Sequence, residues 1–119
     1  MRALEASLSG VLGSTGVLGA ALVDAATGLT YGAVGDQRLF GPGAELAELA
    51  ALIGDRLCEA GADGELESVV VTSTRHHEVV QVLPRQGDPL LLATVLDRTR
   101  VNLALALRQT ADGARGFVS

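Results

Sequence analysis

The stretch ELAELAALIGDRLCEAG, residues 45–61, is the part of the chain from which the fold can be worked out. Its large apolar residues repeat at helical spacing, which predicts an amphipathic helix packed on a core. The predicted core stripe consists of Leu46, Leu49, Ala50, Ile53 and Leu57. A second stripe beside it holds only small residues, namely Ala47, Ala51, Gly54 and Cys58. Since a mid-helix glycine costs about 1 kcal/mol relative to alanine, we expect a close-packed neighbouring backbone to compensate; the alternative is a glycine on a tolerant face.

The third face of this helix is charged and carries one leucine. We predict that it contacts a protein partner through Glu48, Leu52, Asp55, Arg56 and Glu59. Leu52 is the strongest candidate because it is apolar amid charges, although an incidental exposed leucine is the alternative. Arg56 invites comparison with the arginines that some regulatory proteins insert into the active site of a partner. A solvated salt bridge to Glu59 is the simpler interpretation of Arg56.

Composition limits the classes of function. The chain has 119 residues, which favours a single domain over residues 1–119. Aromatic residues make up only 3% of it and there is no Trp, which counts against stacking on single-stranded nucleic acid. The formal net charge is −5, and no Lys/Arg cluster is present to bind phosphates or an anionic membrane. A protein partner is therefore favoured over nucleic acid or membrane.

Cysteine and hydropathy patterns indicate the expected compartment. Cys58 is the only cysteine, so no internal disulfide can form, and no Cys cluster suggests a metal or another cofactor. The start, MRALEASLSGVL, lacks the apolar segment of a signal peptide. No run approaches the roughly 20 apolar residues of a membrane span. We expect a soluble, cytoplasmic protein without a cofactor.

The remaining segments predict an α+β domain with the element order α-β-β-α-β-β-β-α. Helices are expected at residues 2–13, 45–61 and 98–109, and strands at 17–24, 29–34, 66–74, 77–83 and 90–96. Asp97 or Thr99 could cap the last helix. The core should cover about residues 2–110, with residues 111–119 as a flexible tail. Short turns between most strands indicate a five-stranded, mainly antiparallel sheet with helices on both faces.

Strand patterns also predict positions within the sheet. Residues 17–24 and 90–96 are apolar with little alternation, so they belong in the middle. Residues 29–35 and 66–74 belong at the edges, and the second of these is rich in valine, which makes it a template for pairing with another chain. A symmetric homodimer with a continuous sheet would cover both this edge and the small-residue stripe. Its predicted interface comprises Ala47, Ala51, Gly54, Cys58, Ser68, Val69, Val70 and Val71.

Catalytic constellations are not recognisable, so no catalytic residue is predicted. His76 and His77 are adjacent and are expected to be solvated turn residues, with a partner contact or a pH-sensitive spot as the alternative. Asp24 is expected to anchor the turn AATG at residues 25–28 through backbone hydrogen bonds. Cys58 is expected to be a small buried residue. Residues 41–43, GPG, precede a helix but lack the lysine and spacing of a phosphate-binding loop.

The chain resembles the roadblock/LC7 family in residues 15–33, TGVLGAALVDAATGLTYGA. The matching positions are Gly16, Val17, Gly19, Ala20, Val23, Asp24 and Gly28, and residues 64–109 are similar to the closing half of that family. Thr15 departs from the proline frequent there, and residues 29–31 are less polar than in many members. The resemblance implies a profilin-like α/β/α sandwich that dimerises through the central helix and the following strand.

The same resemblance implies a non-enzymatic platform. Some members bind small Ras-like GTPases and stimulate or organise their nucleotide cycle; others are dynein light chains or scaffold subunits, and bacterial members often accompany a GTPase and a sensor kinase. Our first hypothesis is a homodimeric adaptor or GTPase-activating protein in bacterial signalling. The alternatives are a ligand-sensing module, which would need an apolar pocket with convergent polar groups, and a structural scaffold subunit with a non-GTPase partner.

Overall fold

The computed structural model describes residues 8–11, 13 and 16–114, without the side chains of residues 110, 113 and 114. Residues 8–11 are helical (α1), and the predicted helix at 2–13 otherwise lies mostly outside the described residues. The strands are β1 (Val17–Asp24), β2 (Thr30–Gly35), β3 (Ser68–Thr72), β4 (His76–Leu83) and β5 (Leu90–Asp97). The helices are α2 (Gly43–Glu59) and α3 (Leu103–Ala114), with a 3-10 turn at Gln37–Leu39.

All five strands form one antiparallel sheet in the order β2-β1-β5-β4-β3. The predicted α+β class and five-stranded sheet are therefore confirmed. β1 and β5 lie in the middle and pair with each other, as their continuous apolar runs predict. β2 and β3 are the two edges, again as predicted.

Helices cover both faces of this sheet. α2 packs on one face, where its Leu46 and Ala50 form a cluster with strand residues from the middle of the sheet, Val23, Val80, Leu91 and Ala93. The opposite face packs against α1 through Leu8 and Val11 and against α3 through Ala106. This two-sided burial explains why the strand β5 is buried from Leu90 to Leu96. None of the helices, over the residues described, is long and apolar enough to cross a membrane.

The last helix differs from its predicted bounds of residues 98–109. Asp97 accepts hydrogen bonds from the backbone and hydroxyl of Thr99, so these two residues form a turn and cap nothing. The cap is Asn102, whose Oδ1 accepts from the backbone N–H of Leu105 at 3.2 Å. Residues 111–114 of the predicted flexible tail are helical, and residues 115–119 lie outside the described part.

The two histidines are strand residues, which corrects the expectation of a solvated turn. The backbone N–H of Ser73 donates a hydrogen bond to the carbonyl oxygen of His76, which closes the turn before β4. The strand β4 therefore begins at His76. His77 is buried, and its Nδ1 lies 2.8 Å from the hydroxyl of Thr72 on β3. His76 is half-buried on the opposite face of the strand.

Candidate interaction surface

The helix α2 is buried only in its first half. Its fully buried residues are Leu46, Ala47 and Ala50. Leu57 belongs to the predicted core stripe yet is 40% exposed, and Cys58, predicted to be buried, is exposed. Conversely, Ala47 was predicted at the dimer interface but is 7% exposed, so its own fold covers it. The periodicity gives the direction of each side chain, whereas burial also requires strands beneath it.

The edge strand β3 is open along its outer side. Its outer edge has no strand partner in the described part of the chain, since β3 pairs only with β4. Val71 is 44% exposed on the face that α2 covers elsewhere, and Val70 is 37% exposed on the other face. Val69 is half-buried against the cluster beneath α2. The strand therefore presents apolar side chains on both faces next to unpaired backbone groups.

The outward face of α2 is charged around one leucine. Leu52 is 54% exposed, and it is surrounded by the exposed residues Glu48, Asp55, Arg56 and Glu59. Arg56 and Glu59 do not form the salt bridge considered above. The ion pairs within residues 8–11, 13 and 16–114 are Arg38–Asp36 and Arg85–Asp24. The five residues predicted to bind a partner thus share one accessible surface.

The small-residue stripe of α2 faces a groove of the same chain. This groove has a volume of about 530 Å³ and runs between the helix, the end of the sheet and the β4–β5 loop. Apart from the neighbouring backbone of the helix itself, no atom of the described residues lies within 4 Å of the place that a Cβ on Gly54 would occupy, so these residues do not supply the close-packed backbone expected there. Lining residues include Ala51 and Gly54 of the helix, Val82 and Leu91 of the sheet, and Glu65 and Arg85 of the loops.

A polar cluster at one end of this groove joins distant parts of the chain. Asp24 Oδ1 accepts hydrogen bonds from the backbone N–H groups of Ala26 and Thr27, at 2.8 and 3.0 Å, which confirms that it anchors the turn. Its Oδ2 accepts from the Tyr31 hydroxyl at 3.1 Å and from Arg85 Nη2 at 3.4 Å. The Thr27 and Ala26 N–H groups lower the pKa of Asp24, against the opposing effect of burial.

A β-bulge places Tyr31 in that cluster. The β1–β2 register shifts between Leu22 and Val23, so that their partners are Gly32 and Thr30 and Tyr31 is left between them. The guanidinium carbon of Arg85 lies 5.9 Å from the centre of the Tyr31 ring. The sequence did not predict this cluster, because Asp24 and Arg85 are 61 residues apart and no local pattern connects them.

Two side chains of β4 hold polar oxygens that have no hydrogen-bond partner among the described residues. Glu78 Oε2 and Gln81 Oε1 are buried without a hydrogen bond. Glu78 lies on the α2 face of the sheet and pairs across the strands with the exposed Val71. Burial raises the pKa of Glu78, because an ionised carboxylate is poorly solvated there.

The described residues offer no group of three or more His, Cys, Asp or Glu side chains that could hold a metal ion.

Gly43, the last residue of the segment GPG at 41–43, is explained by packing. A Cβ on Gly43 would collide with the carbonyl oxygen of Gly28 and lie 2.7 Å from the Thr30 hydroxyl oxygen. The backbone of α2 therefore starts in direct contact with the β1–β2 turn, where a phosphate would have no room beside this residue.

No protein-family model matches the chain, and no curated protein sequence matches it. Solved structures do match. MglB of Myxococcus xanthus aligns with a TM-score of 0.83 at 13% identity, over 98% of this chain and 85% of that one. A roadblock/LC7 domain from Streptomyces avermitilis aligns with a TM-score of 0.71 at 21% identity, over 92% and 89%. This chain has the roadblock/LC7 fold. The gliding protein MglB of Thermus thermophilus shares this roadblock/LC7 fold, with a TM-score of 0.73 at 22% identity over 97% and 84%.

Within this roadblock/LC7 fold, the predicted interface residues divide into two groups. Cys58, Ser68, Val70 and Val71 are exposed and Val69 is half-buried, at or near the open β3 margin. Ala47, Ala51 and Gly54 line the groove. The first group is accessible at the surface of the single chain, and the second borders the groove beside α2.

Proposed function

We propose that the protein is a non-enzymatic homodimeric adaptor that binds a small Ras-like GTPase and modulates its nucleotide cycle or its localisation. The observations that carry this proposal are the open outer edge of β3 and the exposed apolar side chains Val70, Val71 and Leu57. The sequence resemblance supports the same function, since some roadblock/LC7 domains bind such GTPases.

Self-association is the first step of the proposal. Two copies that pair their β3 strands antiparallel would make one continuous sheet and satisfy the unpaired backbone groups of both edges. The same contact would cover Val71 on the α2 face and Val70 on the other. Leu57, which is 40% exposed in the single chain, is a further apolar side chain that a second subunit could cover.

The outward faces of the two α2 helices would then form the platform for the GTPase. Each contributes Leu52 as an apolar contact within a ring of charges from Glu48, Asp55, Arg56 and Glu59. Holding the switch segments of a GTPase in one arrangement is enough to change its nucleotide cycle, and it requires no donated catalytic residue.

A charged side chain introduced on the edge strand β3 tests the dimer, and sedimentation equilibrium measures the result. Val71→Lys should shift the protein towards the monomer, because an exposed lysine on an edge strand opposes strand pairing. Leu105→Lys is the matched control, since Leu105 is a similarly exposed side chain (52%) that belongs to α3 and not to the edge strand. A wild-type protein that sediments as a monomer over the whole concentration range would refute the dimer.

Purification of the tagged protein from its own cells, followed by nucleotide analysis, tests the partner. We expect a co-purifying GTPase that releases GDP or GTP on denaturation. Leu52→Asp and Arg56→Glu should abolish this recovery without changing the melting temperature, whereas Leu105→Asp, a change at a similarly exposed leucine, should not. Unchanged recovery with both α2 variants would show that the surface is assigned wrongly.

A further inference from the structure

The alternation of hydrogen bonds along β3 determines which of its residues face the open edge. Just before the strand, the carbonyl oxygen of Glu67 accepts from the N–H of Val82 at 2.8 Å. Just after it, the N–H of Ser73 donates to the carbonyl oxygen of His76 at 2.9 Å. Since such positions alternate along an antiparallel ladder, odd-numbered residues bond to β4 and even-numbered residues present their backbone groups outward. The outward-facing residues of β3 are Ser68, Val70 and Thr72.

This alternation selects one register for two copies that pair edge to edge. Only a two-fold axis at Val70 pairs all three outward-facing residues of β3 with one another. Val70 then lies opposite Val70 of the second copy, and Ser68 lies opposite Thr72. Continuing the register by one residue brings Glu67 opposite Ser73 of the second copy, at the turn between β3 and β4.

The two ends of β3 that meet in this register carry opposite charges. The segment that leads into the strand has no basic residue, and its acidic residues are Glu59, Asp63, Glu65 and Glu67. At the other end, two loops bring arginines together. The N–H of Arg98 donates to the carbonyl oxygen of Arg75 at 3.0 Å, and Arg98 Nη1 donates to the carbonyl oxygen of Ser73 at 3.0 Å. Antiparallel pairing therefore places each acidic end against a basic one.

These charges are accessible and are not neutralised within the single chain. Glu67, Arg75 and Arg98 are exposed. Within the part of the chain that the structure describes, none of the three forms an ion pair. Because each chain has a formal net charge of −5, two copies repel one another at long range. Opposite charges placed at the contact offset this repulsion and favour the one orientation in which they meet.

We propose that Glu67 of each subunit forms an ion pair with Arg75 of the other, with Arg98 as a second cation at the same end. The occupant of the open edge is then a second copy of this chain, selected by charge in the antiparallel register. This contact rests on the homodimer proposed above and adds the side chains that align its two strands. Exposed ion pairs contribute little affinity individually, so these pairs determine register and choice of partner.

Charge reversal tests this contact. Glu67→Arg and Arg75→Glu should each raise the dissociation constant of the dimer, measured by sedimentation equilibrium, by about tenfold, because the axis creates two like-charge contacts in every dimer. An equal mixture of the two variants should form a mixed dimer as tight as the wild-type dimer, since both contacts then join opposite charges. Native mass spectrometry counts the mixed dimers. Arg108→Glu, the same change at an exposed arginine of α3, should leave the dissociation constant unchanged.

The outcomes separate this contact from the homodimer on which it rests. A wild-type chain that stays monomeric would overturn both together. A wild-type dimer that neither reversal weakens, or a mixture with no more mixed dimer than random exchange gives, would overturn the contact alone. If a reversal variant does not fold, Glu67→Gln and Arg75→Gln decide. Combined in one chain, these two changes should weaken the dimer by less than the sum of their separate free-energy effects, as expected for paired residues, and additive losses would overturn the proposal.

Discussion

The two halves of α2 carry the same apolar repeat and have different surroundings. In the first half, Leu46 and Ala50 are buried against the middle of the sheet. In the second half, Leu57 continues the same stripe and is 40% exposed. A helical period therefore establishes which way a side chain points, and the extent of the sheet decides whether anything covers it. The strand residues of the cluster beneath α2 pack against its first half, through Leu46 and Ala50.

The largest expected effect comes from truncating one leucine in each half. Leu46→Ala should lower the free energy of unfolding by about 2–5 kcal/mol, because it leaves a cavity in a close-packed cluster. Leu57→Ala should lower it by about 1 kcal/mol or less, because little apolar area is removed from contact. Urea unfolding of both variants in dilute solution measures the difference.

Both leucines occupy the same helix and undergo the same chemical change, so helix propensity cancels from this comparison. Similar losses for both variants at a concentration where the protein is monomeric would mean that Leu57 is as well packed as Leu46. The distinction between the halves would then be wrong.

Local patterns were sufficient for most of the fold. The uniform apolar runs at 17–24 and 90–96 predicted the two central strands, and the glycines and valines predicted the edges. The start of α3 was missed because Asp97 and Thr99 are good caps by residue type, and only the three-dimensional turn shows that they bond to each other. The groove was missed for a related reason. Small residues on a helix indicate that something can approach closely, but they do not distinguish a second helix from an open space.

Glycine substitutions sharpen the contrast between the two halves, with effects of opposite sign. Gly43→Ala should destabilise the protein by about 1–3 kcal/mol, because its methyl group would collide with the Gly28 carbonyl where α2 begins. Gly54→Ala should stabilise it by about 0.5–1 kcal/mol, because the added methyl meets nothing and alanine favours the helix. Thermal unfolding of the two variants beside the wild type measures both changes.

Thermal unfolding of Gly54→Ala at several protein concentrations checks this prediction. If a second subunit packs closely on Gly54, Gly54→Ala should stabilise the dilute monomer yet weaken the dimer. A loss of stability in dilute solution would contradict the open surroundings of this residue.

The smallest effect concerns Glu78, which lies on the same face of β4 as the fully buried Val80 and pairs across the strands with the exposed Val71 of the edge strand β3. Burial raises the folded-state pKa of Glu78 above its ordinary value of 4.5, so the ionised carboxylate opposes folding at neutral pH. Glu78→Gln should therefore raise the free energy of unfolding at pH 7. This advantage should diminish as the pH falls through the folded pKa and should vanish below the unfolded pKa, where both states hold the proton. Urea unfolding at a series of pH values measures it, with Glu59→Gln at the exposed end of α2 as the control. An advantage that persists undiminished at acidic pH would show that the charge of Glu78 is not its cause.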